Sequence, residues 1–234
     1  MKSLKTLLVI PARAGSKGLP GKHLLELNGK KLIEYAIQSA IGCSFYFQEK
    51  VISTDCEEML NLALGLGMSA PFKRPKQLAE DETTSVEVLK HAVLNHENRF
   101  NHKLDFVMLL QATNPLVSST DIDNVMEMLI SIEDEVDGII SVTELKSHFF
   151  HSSYVLGEDT YLKKITEETN SLRRQDIKSR FFKSNGGIYV VRRDVLFKQN
   201  TIYTNKTYPY LMPIYKHVDI DDSDDFELAK KLIS

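Results

Sequence analysis

Three cations, three glycines and a serine crowd the segment Val9-Ile10-Pro11-Ala12-Arg13-Ala14-Gly15-Ser16-Lys17-Gly18-Leu19-Pro20-Gly21-Lys22, which begins where the apolar run Leu7 to Ile10 gives out. Glycines let backbone N–H groups curl around an anion, and Arg13, Lys17 and Lys22 bring the charge that neutralises phosphate. A loop of this kind behind a first strand is built to hold a polyphosphate; the plainer reading is a basic surface turn. Two better-known phosphate loops do not fit. Walker A requires a glycine five positions ahead of the Gly-Lys pair and a hydroxyl after it, where this chain has Ser16 and His23. The dinucleotide fingerprint G-x-G-x-x-G is absent as well.

A second chemical cluster lies near the end of the chain, in Val218-Asp219-Ile220-Asp221-Asp222-Ser223-Asp224-Asp225-Phe226. In an extended segment Asp219 and Asp221 project to the same side. Two carboxylates there repel unless a cation lies between them, and Mg²⁺ suits one or two carboxylates completed by phosphate oxygens and waters. Asp222, Asp224 and Asp225 read as caps and first-turn acids of a closing helix.

Between these clusters, Arg74-Pro75 and the run Glu80-Asp81-Glu82-Thr83-Thr84-Ser85 supply an arginine and a hydroxyl suited to reading a pyrimidine nucleoside. The acids of that run equally suit a helix N-terminus, with Thr84 and Glu87 placed as a capping box. Gln111, in Leu109-Leu110-Gln111-Ala112-Thr113-Asn114-Pro115, can offer both a donor and an acceptor to a sugar. Arg173-Arg174-Gln175-Asp176 is either a solvated charged face or a fork for a carboxylate. The histidines, His148 and His151 included, show no metal-ligand spacing.

The elements that must position these residues alternate. Leu7–Ile10, Lys50–Ser53, Ser69–Phe72, Phe106–Leu110 and Gly138–Val142 read as strands. Leu32–Ile41, Glu57–Leu66, Val86–Leu94 and Ile122–Ile132 read as helices. This order predicts an α/β fold: a Rossmann-like, mostly parallel sheet flanked by helices, with ligands beyond the carboxyl ends of the strands. From about 143 to 180 the periodicity breaks into short β-like pieces, Ser153–Leu156 and Tyr161–Ile165, which predicts an inserted lobe between 1–142 and 181–234. Phe181–Val191 then reads as a strand, Lys216–Ile220 as a last strand and Asp225–Ile233 as a helix.

At 234 residues, 42% hydrophobic and 26% charged, the chain can bury a substantial core. A net charge of −3 argues against a general nucleic-acid binder, so phosphate affinity must come from local clustering. Cys43 and Cys56 form neither a disulfide framework nor a metal pattern, which fits a reducing compartment. The start, Lys2 to Ile10, mimics a signal peptide, but its apolar run Leu7 to Ile10 is too short for a signal-peptide core and is cut by Pro11 and Arg13, and no stretch is long enough to cross a membrane. A cytoplasmic location, with no membrane partner, is expected.

The run Ile10-Pro11-Ala12-Arg13-Ala14-Gly15-Ser16-Lys17-Gly18 resembles the signature of the acylneuraminate cytidylyltransferases, the CMP-sialic acid synthetases and related CMP-nonulosonic acid synthetases. Relatives that activate Kdo share Pro-Ala-Arg but usually continue with an aromatic residue and Ser-Thr-Arg. The motifs at 74–85, 109–115, 173–176, 185–189 (Asn-Gly-Gly-Ile-Tyr) and 218–226 follow in the family's order.

The resemblance implies that CTP and a nine-carbon 2-keto sugar acid give a CMP-sugar and pyrophosphate. It implies CTP binding by Arg13, Ala14, Gly15, Ser16, Lys17, Lys22, His23, Arg74 and Ser85. Gln111, Arg174 (or Arg173), Gln175 and Lys146 are implied at the sugar, and Asp219 and Asp221 at Mg²⁺. Arg13, Lys22, Asp219 and Asp221 are the implied catalytic set, and the resemblance implies a homodimer formed through the inserted lobe.

The chain departs from the family pattern at Ala112, where proline is usual, at Asn114, where serine is usual, and at His23, where asparagine is usual; the first two changes point to an altered sugar pocket. A Kdo cytidylyltransferase and a non-catalytic nucleotide sensor on the same fold are the alternative readings.

Overall fold

Thr6 to Ile10, nearly all of strand β1 (Thr6–Pro11), is fully buried. A strand this apolar must be covered on both faces. Its side-chain alternation divides the core in two. Leu8 and Ile10 pack with Ile33 and Ile37 of helix α1 (Leu32–Gly42), Met59 of α2 (Glu57–Gly65) and Val125 of α4 (Ser119–Ile132). Leu7 and Val9 pack on the other face with Leu89 and Val93 of α3 (Ser85–Phe100) and Leu196 of α5 (Arg193–Gln199).

The computed structural model describes residues 4–16, 18–145, 153–156, 161–164 and 180–233. The main sheet has six strands in the order β10 (Thr207–Leu211), β6 (Gly138–Leu145), β9 (Phe181–Arg192), β5 (Phe106–Leu110), β1 and β4 (Glu49–Ser53). Within this sheet β9 runs against the other five. The carboxyl ends of β1, β4 and β5 therefore share one edge. The pairing of Leu110 with Ile188 brings Asn185–Gly187 of the antiparallel strand to that same edge. Gln111 N donates to Gly187 O at 3.0 Å there, and Ala12 N donates to Ser53 O at 3.0 Å.

Two small antiparallel hairpins, β2–β3 (Glu26–Leu27, Lys30–Lys31) and β7–β8 (Tyr154–Leu156, Leu162–Lys164), complete the strands described. Helix starts follow local chemistry. Thr84 and Glu87 form the expected capping box on α3, and Ser118 with Asp121 forms another on α4.

The structure departs from the expected strands in four places. Lys216–Ile220 is not a strand: Ile214–Lys216 forms a 3₁₀ turn, and the following residues have no ladder partner. Their polar groups go instead to loops, with Ile220 N on Thr113 O at 2.9 Å. Val218 and Ile220 alternate inward because they pack on Leu27, Leu32 and Phe226 of helix α6 (Ser223–Ile233), not because they join the sheet.

The outermost strand beside β6 is β10, whose Pro209 argues against a strand in sequence but is tolerated at the end of the strand order. Ser69–Phe72 shrinks to a single bridge between Ser69 and Val51. Strand β6 stays paired with β9 out to Leu145 and Phe181, three residues past the expected lobe boundary. Among the described residues no helix is long and apolar enough to cross a membrane.

Candidate active site

The glycine-rich loop leaves β1 at the shared edge and is shaped by its neighbours. Ala14 N donates to Asp55 Oδ1 at 3.0 Å, so a carboxylate beyond β4 holds that amide. A Cβ on Gly18 would stand 2.3 Å from the Asp221 carbonyl oxygen. Only a glycine lets the loop lie directly on the Asp219–Asp221 segment.

Lys22 opens a 3₁₀ turn and is almost fully buried. Its Nζ donates to Ile220 O at 2.7 Å and to Asp221 Oδ1 at 3.0 Å. Arg13 is half-buried, with its guanidinium on Asp81 Oδ1 at 2.8 Å. Asp81 thus closes over the loop from the acidic run before α3; its local spacing had marked it only as a helix-end acid.

His23 is buried, and its Nδ1 lies 3.2 Å from the Arg13 carbonyl. A carbonyl only accepts, so Nδ1 carries the proton and Nε2 is left as an acceptor. Burial is the main cause that lowers the imidazole pKa to about 4, and Lys22, Arg74 and Arg13 push the same way. The ring is neutral at physiological pH.

Arg74 is buried and donates through Nη2 to Ala12 O, while its buried Nε has no partner among the described residues. Burial lowers its pKa, though an arginine remains charged. Ser85, the first residue of α3, lines the same cavity.

Asp219 is half-buried in the lining of the cavity. Burial raises its carboxyl pKa, and the nearby Asp221 adds to the rise; a hydrogen bond from Thr113 and the charge of Lys22 oppose it. The Thr113 hydroxyl donates to Gln111 Oε1 at 3.4 Å. Gly186, at φ +66°, leaves room for this carboxylate: a Cβ there would meet Asp219 Oδ2 at 2.2 Å. Asp222 accepts from the amides of Asp224 and Asp225, the cap expected for α6.

Arg13, Lys22, His23, Arg74, Ser85, Gln111, Asp219 and Asp221 thus surround one cavity of about 230 Å³. A second cavity, of about 320 Å³, shares Arg13, Lys22, His23 and Asp221 and extends along Gly15, Ser16 and Gly18. Ala112 lines the first cavity, but Asn114 is buried behind it. Lys17, Lys146, Arg173, Arg174 and Gln175 lie outside the described residues.

Sequence reasoning missed Asp55, Thr113 and Gly186 as shapers of the site. Asp55 had a legible signal, since it stands just past the carboxyl end of a strand. Gly186 had none, because its role is a contact with a residue far along the chain.

Among the described residues no group of three or more His, Cys, Asp or Glu could enclose a metal ion. Asp219 and Asp221 both line the cavity, and two carboxylates suit a hard divalent cation whose shell is completed by phosphate and water.

A mostly parallel sheet with a basic glycine loop behind its first strand, packed against a segment that carries two aspartates, defines an α/β protein of the nucleotidyltransferase kind. A CMP:2-keto-3-deoxy-manno-octonic acid synthetase solved with CTP has the same fold, with a TM-score of 0.70 at 18% identity over 98% of both chains. The chain belongs to the cytidylyltransferase family, whose model matches residues 7–233.

It is 32% identical over 226 residues to an N-acylneuraminate cytidylyltransferase of Streptococcus agalactiae, which covers 95% of this chain and 52% of that protein. The chain thus spans about half the length of that relative. It is 30% identical over 229 residues to a pseudaminic acid cytidylyltransferase of Campylobacter jejuni, covering 98% of this chain and 96% of that one.

Proposed function

We propose that this chain transfers CMP from CTP to a nine-carbon 2-keto sugar acid and releases pyrophosphate. The observation that carries this reading is one cavity lined together by the cations Arg13, Lys22 and Arg74 and by the carboxylates Asp219 and Asp221. Similarity to cytidylyltransferases for N-acylneuraminate and pseudaminic acid supports the choice of acceptor.

In the reaction the anomeric hydroxyl oxygen of the sugar bonds to the α-phosphorus of CTP. The bond from that phosphorus to the bridging oxygen breaks, pyrophosphate leaves with its electron pair, and the hydroxyl proton is lost. Such transfers depend on alignment and on charge stabilisation. Arg13 and Lys22, with Ser16, Lys17 and the loop amides, hold the triphosphate and stabilise charge on the departing pyrophosphate. Arg74 and Ser85 read the base and ribose, and the neutral His23 offers Nε2 as an acceptor. Gln111 orients the sugar, with Arg174, Gln175 and Lys146 as its further contacts.

Asp219 and Asp221 hold a divalent cation, Mg²⁺ by the hardness of their oxygens, and it supplies electrostatic stabilisation of the phosphate oxygens. The hairpin β7–β8 exposes Tyr154, Val155, Leu156, Tyr161 and Leu162, which supports the inserted lobe as the contact of a homodimer.

The test is pyrophosphate release from CTP and Mg²⁺ with N-acetylneuraminate, legionaminate, pseudaminate or Kdo. Release with one of the nine-carbon acids is expected. Release with Kdo alone would reassign the acceptor, and CTP binding without release from any acid would make the chain a nucleotide sensor.

A further inference from the structure

Asn114 is 1% exposed, and its side chain is fully committed to backbone. Its Oδ1 accepts from Leu116 N at 3.1 Å. Its Nδ2 donates to two carbonyls from distant parts of the chain, Asn185 O at 2.8 Å and Lys216 O at 3.0 Å. These carbonyls flank one carboxylate. Asn185 precedes Gly186, whose backbone stands against the Asp219 oxygens, and Lys216 begins the short run that leads to Asp219.

Lys216 is anchored from the far side as well, because its Nζ pairs with Asp121 at the start of α4. The residue before Asn114 completes the frame. Thr113 O accepts from Ile220 N at 2.9 Å.

Residues 217–220 belong to no sheet, so ladder hydrogen bonds do not fix the position of Asp219. The primary amide does this instead. Two hydrogens on one nitrogen diverge to two carbonyls, which neither a hydroxyl nor a carboxylate can match.

We infer that Asn114 is a positioning residue for Asp219: it sets the distance between Gly186 and the Asp219 segment, and through it the affinity of the site for a divalent cation. This rests on the reading of Asp219 as a cation ligand. It moves Asn114 away from the sugar pocket to which its departure from the family pattern had pointed.

The test measures Mn²⁺ binding to the whole protein with a non-reactive CTP analogue, by paramagnetic resonance of free Mn²⁺. CMP affinity in the presence of a chelator is measured in parallel. Asn114→Ala is expected to weaken Mn²⁺ binding about 10- to 100-fold, the usual range for groups that orient a ligand. Metal-free CMP affinity should stay unchanged.

Asn114→Asp adds a negative charge but removes both donors, so it should weaken Mn²⁺ binding too; a gain would mean that charge and not position governs the site. Asn114→Ser keeps one donor and should fall between, and it carries the test if the alanine variant does not fold. Unchanged Mn²⁺ affinity in the folded Asn114 variants, with binding lost in Asp219→Asn, overturns the inference and leaves the cation site standing. Wild-type binding in Asp219→Asn overturns both.

Discussion

Lys22 Nζ lies 3.0 Å from Asp221 Oδ1, joining the end of the phosphate loop to the carboxylate pair across 199 positions of sequence. The contact is asymmetric. Lys22 is buried and keeps the Ile220 carbonyl as a second partner, whereas the Asp221 side chain is 77% exposed. Asp221 is therefore expendable for the fold but central to the reading of the site. Asp221→Ala should lower turnover about a hundredfold or more while the unfolding midpoint stays close to wild type. Steady-state kinetics paired with thermal unfolding decides it; near-wild-type turnover would remove Asp221 from the cation site.

Asp81 holds the guanidinium that the proposed reading gives to the triphosphate. Both partners are partly exposed, so the pair is worth at most about 1 kcal/mol. Asp81→Asn should then tighten CTP binding modestly, about threefold, because Arg13 no longer exchanges one anion for another. Titration calorimetry of the two proteins with CTP would show it. Weaker binding in the variant would mean that Asp81 orients Arg13 instead of competing for it.

His23 gives the site a defined acid limit. Its folded pKa of about 4 lies below the unfolded value of 6.5, so the unfolded chain binds the extra proton between these pH values. This residue's contribution is constant above pH 6.5. As pH falls towards 4 it destabilises the fold progressively, by about 3 kcal/mol in all. His23→Gln should lose that part of the acid sensitivity. Denaturant unfolding from pH 7 to pH 4 would reveal the difference, and parallel curves for the two proteins would contradict it.

Gly186→Ala places a methyl group against the Asp219 carboxylate and forces an L-residue to φ +66°. The backbone strain alone costs about 1–3 kcal/mol. Because the clash falls on a proposed cation ligand, Mn²⁺ affinity should drop along with stability. A variant that loses stability but binds Mn²⁺ normally would show that the carboxylate can move aside.

The hairpin β7–β8 offers a separable test of assembly. Leu156 and Leu162 face each other across it and are both exposed on this chain. If the hairpin lies in a dimer contact, Leu156→Asp with Leu162→Asp should shift the protein from dimer to monomer on size exclusion with light scattering. A dimer that survives both changes would place the contact elsewhere.

Much of this protein is readable in its local sequence. The uniformly apolar β1, the helical spacing of α1 and α4 and the Thr84–Glu87 box fix their elements, because strand alternation, helix period and capping depend on neighbours a few residues apart. The basic glycine loop and the Asp219–Asp221 pair are legible for the same reason: phosphate and cation chemistry is written in short motifs.

Tertiary structure decided the rest. It put β10 on the sheet edge despite Pro209, and left Lys216–Ile220 outside the sheet although its pattern alternates. It aimed Asp81 at Arg13, packed Gly186 against Asp219 and turned Asn114 inward to two distant carbonyls. Those contacts join residues tens to hundreds of positions apart. Their geometry follows from how sheet order and loop packing close the chain, a property that no local spacing encodes.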